Sequence, residues 1–506
     1  MSLKRILKML TAFFMGQGIT IVSQLLIPPF FLHRYAHGLE VYGEWIALSA
    51  AITYLNTLNY GIQTYTTNQA TICYSRGDKD ESQRIQASAL LLLIAVIGVF
   101  AAAGLSLFRM PLGRWLNLHQ VSSHEASLTL YLLLLQILFG MILSMTSNSF
   151  MIIGKAHRGS YWEQAQRLAS ILALATCVWF RASFPVLALT QFLSILVFTV
   201  GVVADIARHA PMLLPRFRKA SWRTAIAMLK PSGHFGLLSF SSFLVWQGPV
   251  LLIQRMLGPA SVAVFSLARV VFAMGRQALA LISFSVGQEI THLVGQRNWP
   301  QLKRLYDLSE RVVLVLIPLF SVGVMLLSPL LFTIWLHKRN LYDPTLCFVM
   351  ALISAVMGIK EHKFQFQSSS NQHERLSKFT LGAYAVMIVA GAGLLRTFGL
   401  PGFLFAWLAA EIAQLIYVLR LNVELFEGSE SISMTPVIRL ACLLAAAFGA
   451  AAWPAFHAPH WPLSRVVLVA TALTLAITAV SYFVFGLNEV SSVLQTRLKR
   501  RLLPST

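Results

Sequence analysis

Charge is scarce in this chain. Of its 506 residues only 12% are Asp, Glu, Lys or Arg, while 57% are hydrophobic. A soluble domain carries about 25% charged residues, so there is too little charge here to coat a water-facing surface. That excludes a soluble globular enzyme, and the apolar content excludes disorder. Acid is scarcer than base: 19 Asp and Glu stand against 40 Lys and Arg, a net charge of +21. Cysteine is limited to Cys73, Cys177, Cys347 and Cys442, far apart and without CxxC or CxxH spacing. Neither a disulfide framework nor a zinc site follows from that pattern. No GxxxxGK[ST], HExxH or GxSxG motif occurs, which removes P-loop ATP hydrolysis and two common hydrolase chemistries. The expectation is a non-enzyme without a resident cofactor.

What is present is apolar sequence in long runs, with a mean hydropathy of +0.67. Runs of about 20 residues match the length of an α-helix that crosses a bilayer; barrel strands alternate over about 10 residues and make no such runs. The sequence predicts an all-α polytopic membrane protein with fourteen spans, at 9–31, 43–65, 86–108, 125–150, 162–181, 184–207, 231–253, 260–286, 308–333, 343–366, 376–396, 401–423, 436–456 and 463–486. The first run follows three basic residues and is too long for a cleaved signal peptide. Counted with the span ends that adjoin them, the N-terminus, the even-to-odd loops and the C-terminus carry 29 Lys and Arg, and the odd-to-even loops carry nine. That bias places both termini in the cytoplasm. It also accounts for the positive charge without a nucleic-acid partner, since no basic, aromatic-interleaved soluble module is present. No loop is long enough for a catalytic domain. The longest, 208–230, is basic, and its second half suits an amphipathic surface helix.

The chain also resembles itself. Arg34 aligns with Arg255, Pro28 with Pro249, Gly38 with Gly258 and Trp45 with Phe265. The turn RGDKDESQR (76–84) aligns with GQRNWPQLKR (295–304), and GKAHR (154–158) with NQHER (371–375). The offset stays between 217 and 221. Such parallel duplication is one of the repeat types used by transporters. It predicts two pseudo-symmetric six-helix lobes around a central cavity: an N-lobe at 1–207, a basic inter-lobe loop at 208–230 and a C-lobe at 231–425. Two extra helices and a basic tail follow at 426–506.

Polar residues are costly at membrane depth, so their placement is informative. Span 2 carries Ser49, Thr53, Asn56, Tyr60 and Gln63 at spacings of 4, 3, 4 and 3, one face of one helix. Span 1 carries Gln17, Thr20 and Gln24 on a single face. Span 8 carries Arg269 and Arg276, seven apart. At the repeat offset of 220, Ser49 maps to Arg269 and Asn56 to Arg276, so the neutral face and the arginine face are equivalent. Both are expected to line the cavity. An arginine at the centre of a span costs about 2.5–3.5 kcal/mol, and its guanidinium fork suits phosphate oxygens. An anionic substrate group is therefore expected. The structural alternatives are Arg269 paired with Glu411 and Arg276 snorkelling to the interface. Glu411, with Gln414 and Tyr417, is the candidate coupling carboxylate for a proton or sodium ion. Glu44 reads as an interfacial charge, and Lys360 with Glu361 as a local pair.

The opening of span 1, the turn GLEVYGEW, the end of span 2 in LNYGIQT and the turn SRGDKDE resemble the polysaccharide flippases (Wzx-like) of the multidrug/oligosaccharidyl-lipid/polysaccharide (MOP) exporter superfamily. RMLGPASVAVFSLARVV and GQRNWPQLKRL resemble that family's second half, so the resemblance covers about residues 9–425. It implies alternating access about a V-shaped cavity in the bacterial inner membrane. The implied cargo is an undecaprenyl-pyrophosphate-linked sugar repeat unit for O-antigen, capsule or exopolysaccharide. Arg269 and Arg276 match the family's cationic cavity positions. Many members carry a proline near the end of the eighth helix where this chain reads ISFSVGQ, and some lipid II-type relatives carry a basic residue at the position of Asn56. The implied partners are the membrane lipid, the lipid-linked sugar and polysaccharide polymerase machinery. A multidrug or cation antiporter, which should show acidic cavity residues, and a lipid II flippase are the alternatives. A membrane polymerase or ligase would need a larger outer loop than 109–124.

Overall fold

A computed structural model describes the backbone of residues 3–370, 374–426 and 431–486, and within these the side chains of 3–14, 56–62, 230–239 and scattered positions in 64–75 and 281–295 fall outside the described set. The described chain is helical, and ten of its helices are long and apolar enough to cross a membrane. One of them, Glu374–Phe426, holds the eleventh and twelfth expected spans and bends at Gly399, where φ is 62°. Span 5 is helical but too polar to qualify by composition, and spans 2 and 7 include residues outside the described set.

The chain divides into two compact units, Met1–Val264 and Phe265–Thr506. The first holds α1 (Leu3–Arg34), α2 (Gly38–Thr53), α3 (Asn56–Ser75), α4 (Lys79–Gly104), the single turn α5 (Leu112–Trp115), α6 (Ser123–Ile152), α7 (Ala156–Trp179), α8 (Phe184–His209), α9 (Trp222–Trp246) and α10 (Gly248–Leu257). The basic stretch 208–230 thus lies inside this unit. Its second half forms the start of α9, which runs on into the expected seventh span as one helix. Phe31, fully buried, gathers Tyr42 and Trp45 around it at centroid distances of 5.6 and 6.2 Å, and Trp45 meets Phe184 edge-on. Glu44 is buried rather than interfacial: its carboxylate accepts the backbone N–H groups of His119 and Gln120, which ties the 116–120 loop to α2. Span 2 is not one helix, because the helical ladder is interrupted at Tyr54 and Leu55 between α2 and α3.

The second unit holds most of α11 (Pro259–Gly295), then α12 (Trp299–Pro318), α13 (Val324–Leu336), α14 (Pro344–Ser369), α15 (Glu374–Phe426), α16 (Thr435–His457) and α17 (Leu463–Phe485). A π-helical turn at Leu319–Gly323 joins α12 to α13. Leu279 of α11, Leu314 and Ile317 of α12, Ile359 of α14, Leu440 of α16 and Phe485 of α17 form one core cluster. Lipid tails are as apolar as these side chains, so helices in a bilayer associate through close packing rather than through exclusion of water. Close approach is visible at Gly159 of α7, where a Cβ would overlap the carbonyl oxygen of Ser147 on α6.

The helix plan repeats along the chain. α4 and α6 begin at Lys79 and Ser123; α12 and α14 begin at Trp299 and Pro344, within the offsets seen in the sequence. Asp78 caps α4 by accepting the N–H of Glu81 at 2.9 Å, and Asn298 caps α12 by accepting that of Gln301 at 3.2 Å. Positive φ recurs in register: Gly77 (90°) with Arg297 (53°), Asn117 (49°) with His337 (50°), and Arg181 (57°) with Gly399 (62°). Non-glycine residues seldom adopt positive φ, so three such matches are a specific trace of duplication.

Candidate functional site

In the second unit, α11 carries both sequence-selected arginines, half-buried. The guanidinium of Arg269 stands 5.4 Å from the ring centroid of Phe265, which is itself fully buried, a cation–π arrangement. Arg276 forms an ion pair with Glu361 of α14, Nη1 to Oε1 at 2.5 Å. Glu361 is therefore not paired with Lys360, and Glu411 is not paired with Arg269.

The physical reason lies in the helix geometry of residues 360–363. A helix turns 100° per residue, so Lys360, Glu361, His362 and Lys363 fan out to different neighbours. Lys360 Nζ lies 2.5 Å from Glu411 Oε2 and donates to Tyr384 Oη at 2.9 Å. Glu411 is fully buried, and its Oε1 accepts from Tyr384 Oη and Trp407 Nε1, each at 3.0 Å. His362 Nε2 meets Ser309 Oγ of α12 at 2.9 Å, and Lys363 pairs with Glu310 of α12. Both members of that last pair are buried. One turn of α14 thus joins α11, α12 and α15 through charge. The sequence reading missed Glu310, His362 and Lys363. The signal was four successive polar residues in an apolar span, which adjacency alone reads as a local pair.

In the first unit, the polar face of α1 meets α7. Thr20 Oγ1 donates to Gly16 O at 2.9 Å and accepts from Arg167 Nη1 at 3.2 Å. Gly16 packs against the amide of Gln164, and Gln17 and Gln24 are half-buried. Arg167 sits midway along α7 and is exposed. It falls within the expected span 162–181 and was not singled out there, although E-Q-A-Q-R at 163–167 marks a polar stripe. Ser49 and Thr53 share a face of α2, Thr53 Oγ1 donating to Ser49 O at 2.7 Å. Gln63 on α3 is half-buried, and its Nε2 has no hydrogen-bond partner. The side chains of Asn56 and Tyr60 lie outside the described residues. No cluster of metal-ligating side chains occurs among the described residues.

No protein-family model and no curated relative matches the chain. Solved structures do. A multidrug resistance MATE family transporter of the MOP superfamily, in an inward-facing conformation, is 12% identical with a TM-score of 0.66, covering 82% of this chain and 96% of its own. The lipid II flippase MurJ in an inward closed conformation is 12% identical with a TM-score of 0.65, covering 92% and 98%. A MOP superfamily transporter from Pyrococcus furiosus, described as having a binding pocket of reverse polarity, is 12% identical with a TM-score of 0.59, covering 87% and 96%. The chain has the fold of MOP-superfamily transporters and is a multi-pass membrane protein.

Proposed function

We propose that this chain is a flippase of the bacterial inner membrane, with both termini in the cytoplasm. Its cargo in this reading is an undecaprenyl-pyrophosphate-linked oligosaccharide, moved by alternating access for O-antigen, capsule or exopolysaccharide synthesis, with 1–207 and 231–425 as the alternating bodies. The observation that carries this reading is the placement of Arg269 and Arg276 on one face of α11, both half-buried, with Arg276 paired to a partly exposed carboxylate. A pyrophosphate would exchange with Glu361 for the Arg276 fork. Ser49, Thr53, Gln63, Gln17 and Gln24 offer neutral hydrogen-bonding groups for the sugar. Polysaccharide polymerase machinery is the partner that would consume the product.

The charge pattern favours this reading over cation export. Glu310, Glu361 and Glu411 each carry a basic partner, so these carboxylates are already compensated. A sodium ion at Glu411 would have to displace the Lys360 ammonium, and we read Glu411 as a positioning residue for α14 and α15. A proton or sodium gradient remains the proposed driving force, acting at another group. Lipid II is the second reading, supported by the likeness to MurJ; its pyrophosphate would use the same arginines. The test is deletion of the chain's gene in its host. Accumulation of an undecaprenyl-linked sugar intermediate, relieved by the wild-type chain and not by Arg269→Ala/Arg276→Ala, is expected. Accumulated lipid II instead would favour the second reading, and no accumulated lipid intermediate would refute both.

A further inference from the structure

A second basic site lies in the first unit, away from α11. The segment 211–219 folds back on the start of α4 and encloses a pocket of about 170 Å³. Lys219 Nζ holds it closed, reaching Asp80 Oδ1 at 2.5 Å and Gln83 Oε1 at 2.8 Å, while Gln83 Nε2 donates to Met212 O at 3.1 Å. Lys79 and Arg216 also line this pocket. Asp80 neutralises one of the three cations, which leaves two for a ligand. Gln86, 4% exposed, also lines the pocket, and its Oε1 has no hydrogen-bond partner. A buried acceptor without a donor is costly, and the residue that carries this one is part of the pocket lining. The pocket therefore presents two cations and one acceptor waiting for a hydroxyl or amine.

The flanking surface is apolar and outward-facing. Met212, Phe217 and Trp222 are exposed, as are Ile226 and Leu229, which continue the Trp222 face along α9. Arg218 and Arg223 stand among them. Exposed aromatic and aliphatic side chains interleaved with arginine are the pattern of a segment lying in the membrane interface. The positive-inside bias assigns this end of α4 to the cytoplasm.

We propose that this pocket binds the headgroup of an anionic phospholipid of the cytoplasmic leaflet. Its phosphodiester lies between Lys79 and Arg216, a headgroup hydroxyl donates to Gln86 Oε1, and the Met212–Phe217–Trp222 surface lies against its acyl chains. This site is separate from the transport reading and needs no lipid-linked sugar.

The test uses the purified full-length chain, delipidated in detergent and offered phosphatidylglycerol, phosphatidylcholine or inorganic phosphate, with retained lipid counted by native mass spectrometry. Wild type is expected to retain phosphatidylglycerol over phosphatidylcholine, and inorganic phosphate at equal concentration is expected not to displace it. Lys79→Gln/Arg216→Gln is expected to lower phosphatidylglycerol retention to the phosphatidylcholine level. Gln86→Leu, which leaves both cations in place, is expected to lower it severalfold. Arg218→Gln/Arg223→Gln removes the same charge from the same surface outside the pocket and is expected to retain the lipid. Equal loss in the two double variants would reduce the effect to general electrostatics and overturn the site. Displacement by inorganic phosphate would assign the pocket to a free anion and overturn the lipid.

Discussion

Arg276 and Glu361 join α11 to α14 through an ion pair in which the two side chains keep 21% and 24% of their exposure. They are dry enough to hold each other and wet enough to part. A charge-assisted hydrogen bond contributes about 1.5–3 kcal/mol, and 1.4 kcal/mol is a factor of about ten in affinity. Arg276→Ala is therefore expected to weaken binding of an undecaprenyl-pyrophosphate probe by about tenfold or more at unchanged protein level. Glu361→Gln removes the competitor and is expected to tighten binding of the same probe. If Glu361→Gln weakens binding as much as Arg276→Ala does, the pair is structural and the exchange mechanism fails.

The Lys360–Glu411 pair calls for a different expectation. Glu411 is fully buried and surrounded by Lys360, Tyr384 and Trp407. Removing one partner of a buried pair strands the other charge, at about 3–5 kcal/mol, whereas replacing both with apolar residues is often neutral. Glu411→Leu is expected to lower the melting temperature sharply in detergent, and Lys360→Met/Glu411→Leu to recover most of it. A double variant no more stable than the single would show that the network, and not the stranded ammonium, sets the cost.

Much of this architecture was legible in the sequence. The repeat was visible from aligned turns, and the structure repeats caps and positive-φ positions at the same offsets. Span counting worked where runs were uninterrupted, and it merged α2 with α3 because hydropathy does not register the local break at Tyr54–Leu55. The pairing of charges was not legible. Lys360 and Glu361 are adjacent in sequence, yet their side chains leave α14 in different directions, toward α15 and α11. Arg167 lies inside the expected span 162–181, but sequence does not say what its face of the helix meets, and its contact with Thr20 places it beside α1.

Helix approach in the first unit gives a stability test. A methyl at Gly159 would overlap the backbone oxygen of Ser147, and overpacking costs about 1–3 kcal/mol. A methyl at Gly98 of α4 would meet nothing within 4 Å, and alanine is favoured over glycine in a helix interior by about 0.8–1 kcal/mol. Gly159→Ala is expected to lower thermal stability and Gly98→Ala to hold or raise it. Equal effects would mean that α6 and α7 do not approach this closely.

Arg167 tests whether the polar stripe of α7 is wet. Its side chain is exposed midway along a helix, its Nη1 donates to Thr20, and Gln164 lies one turn back against Gly16 of α1. Acyl chains around such a charge would cost several kcal/mol, so the exposure is expected to be to water. Val197 of α8 is exposed by 66% on an apolar helix and is expected to face lipid. Thiols react as thiolates, which form in water and not in hydrocarbon. In a chain stripped of its four cysteines, Arg167→Cys should label rapidly with a charged, membrane-impermeant thiol reagent in permeabilised cells, while Val197→Cys should label slowly. Slow labelling at Arg167→Cys would place the stripe in lipid and refute a wet α7 face.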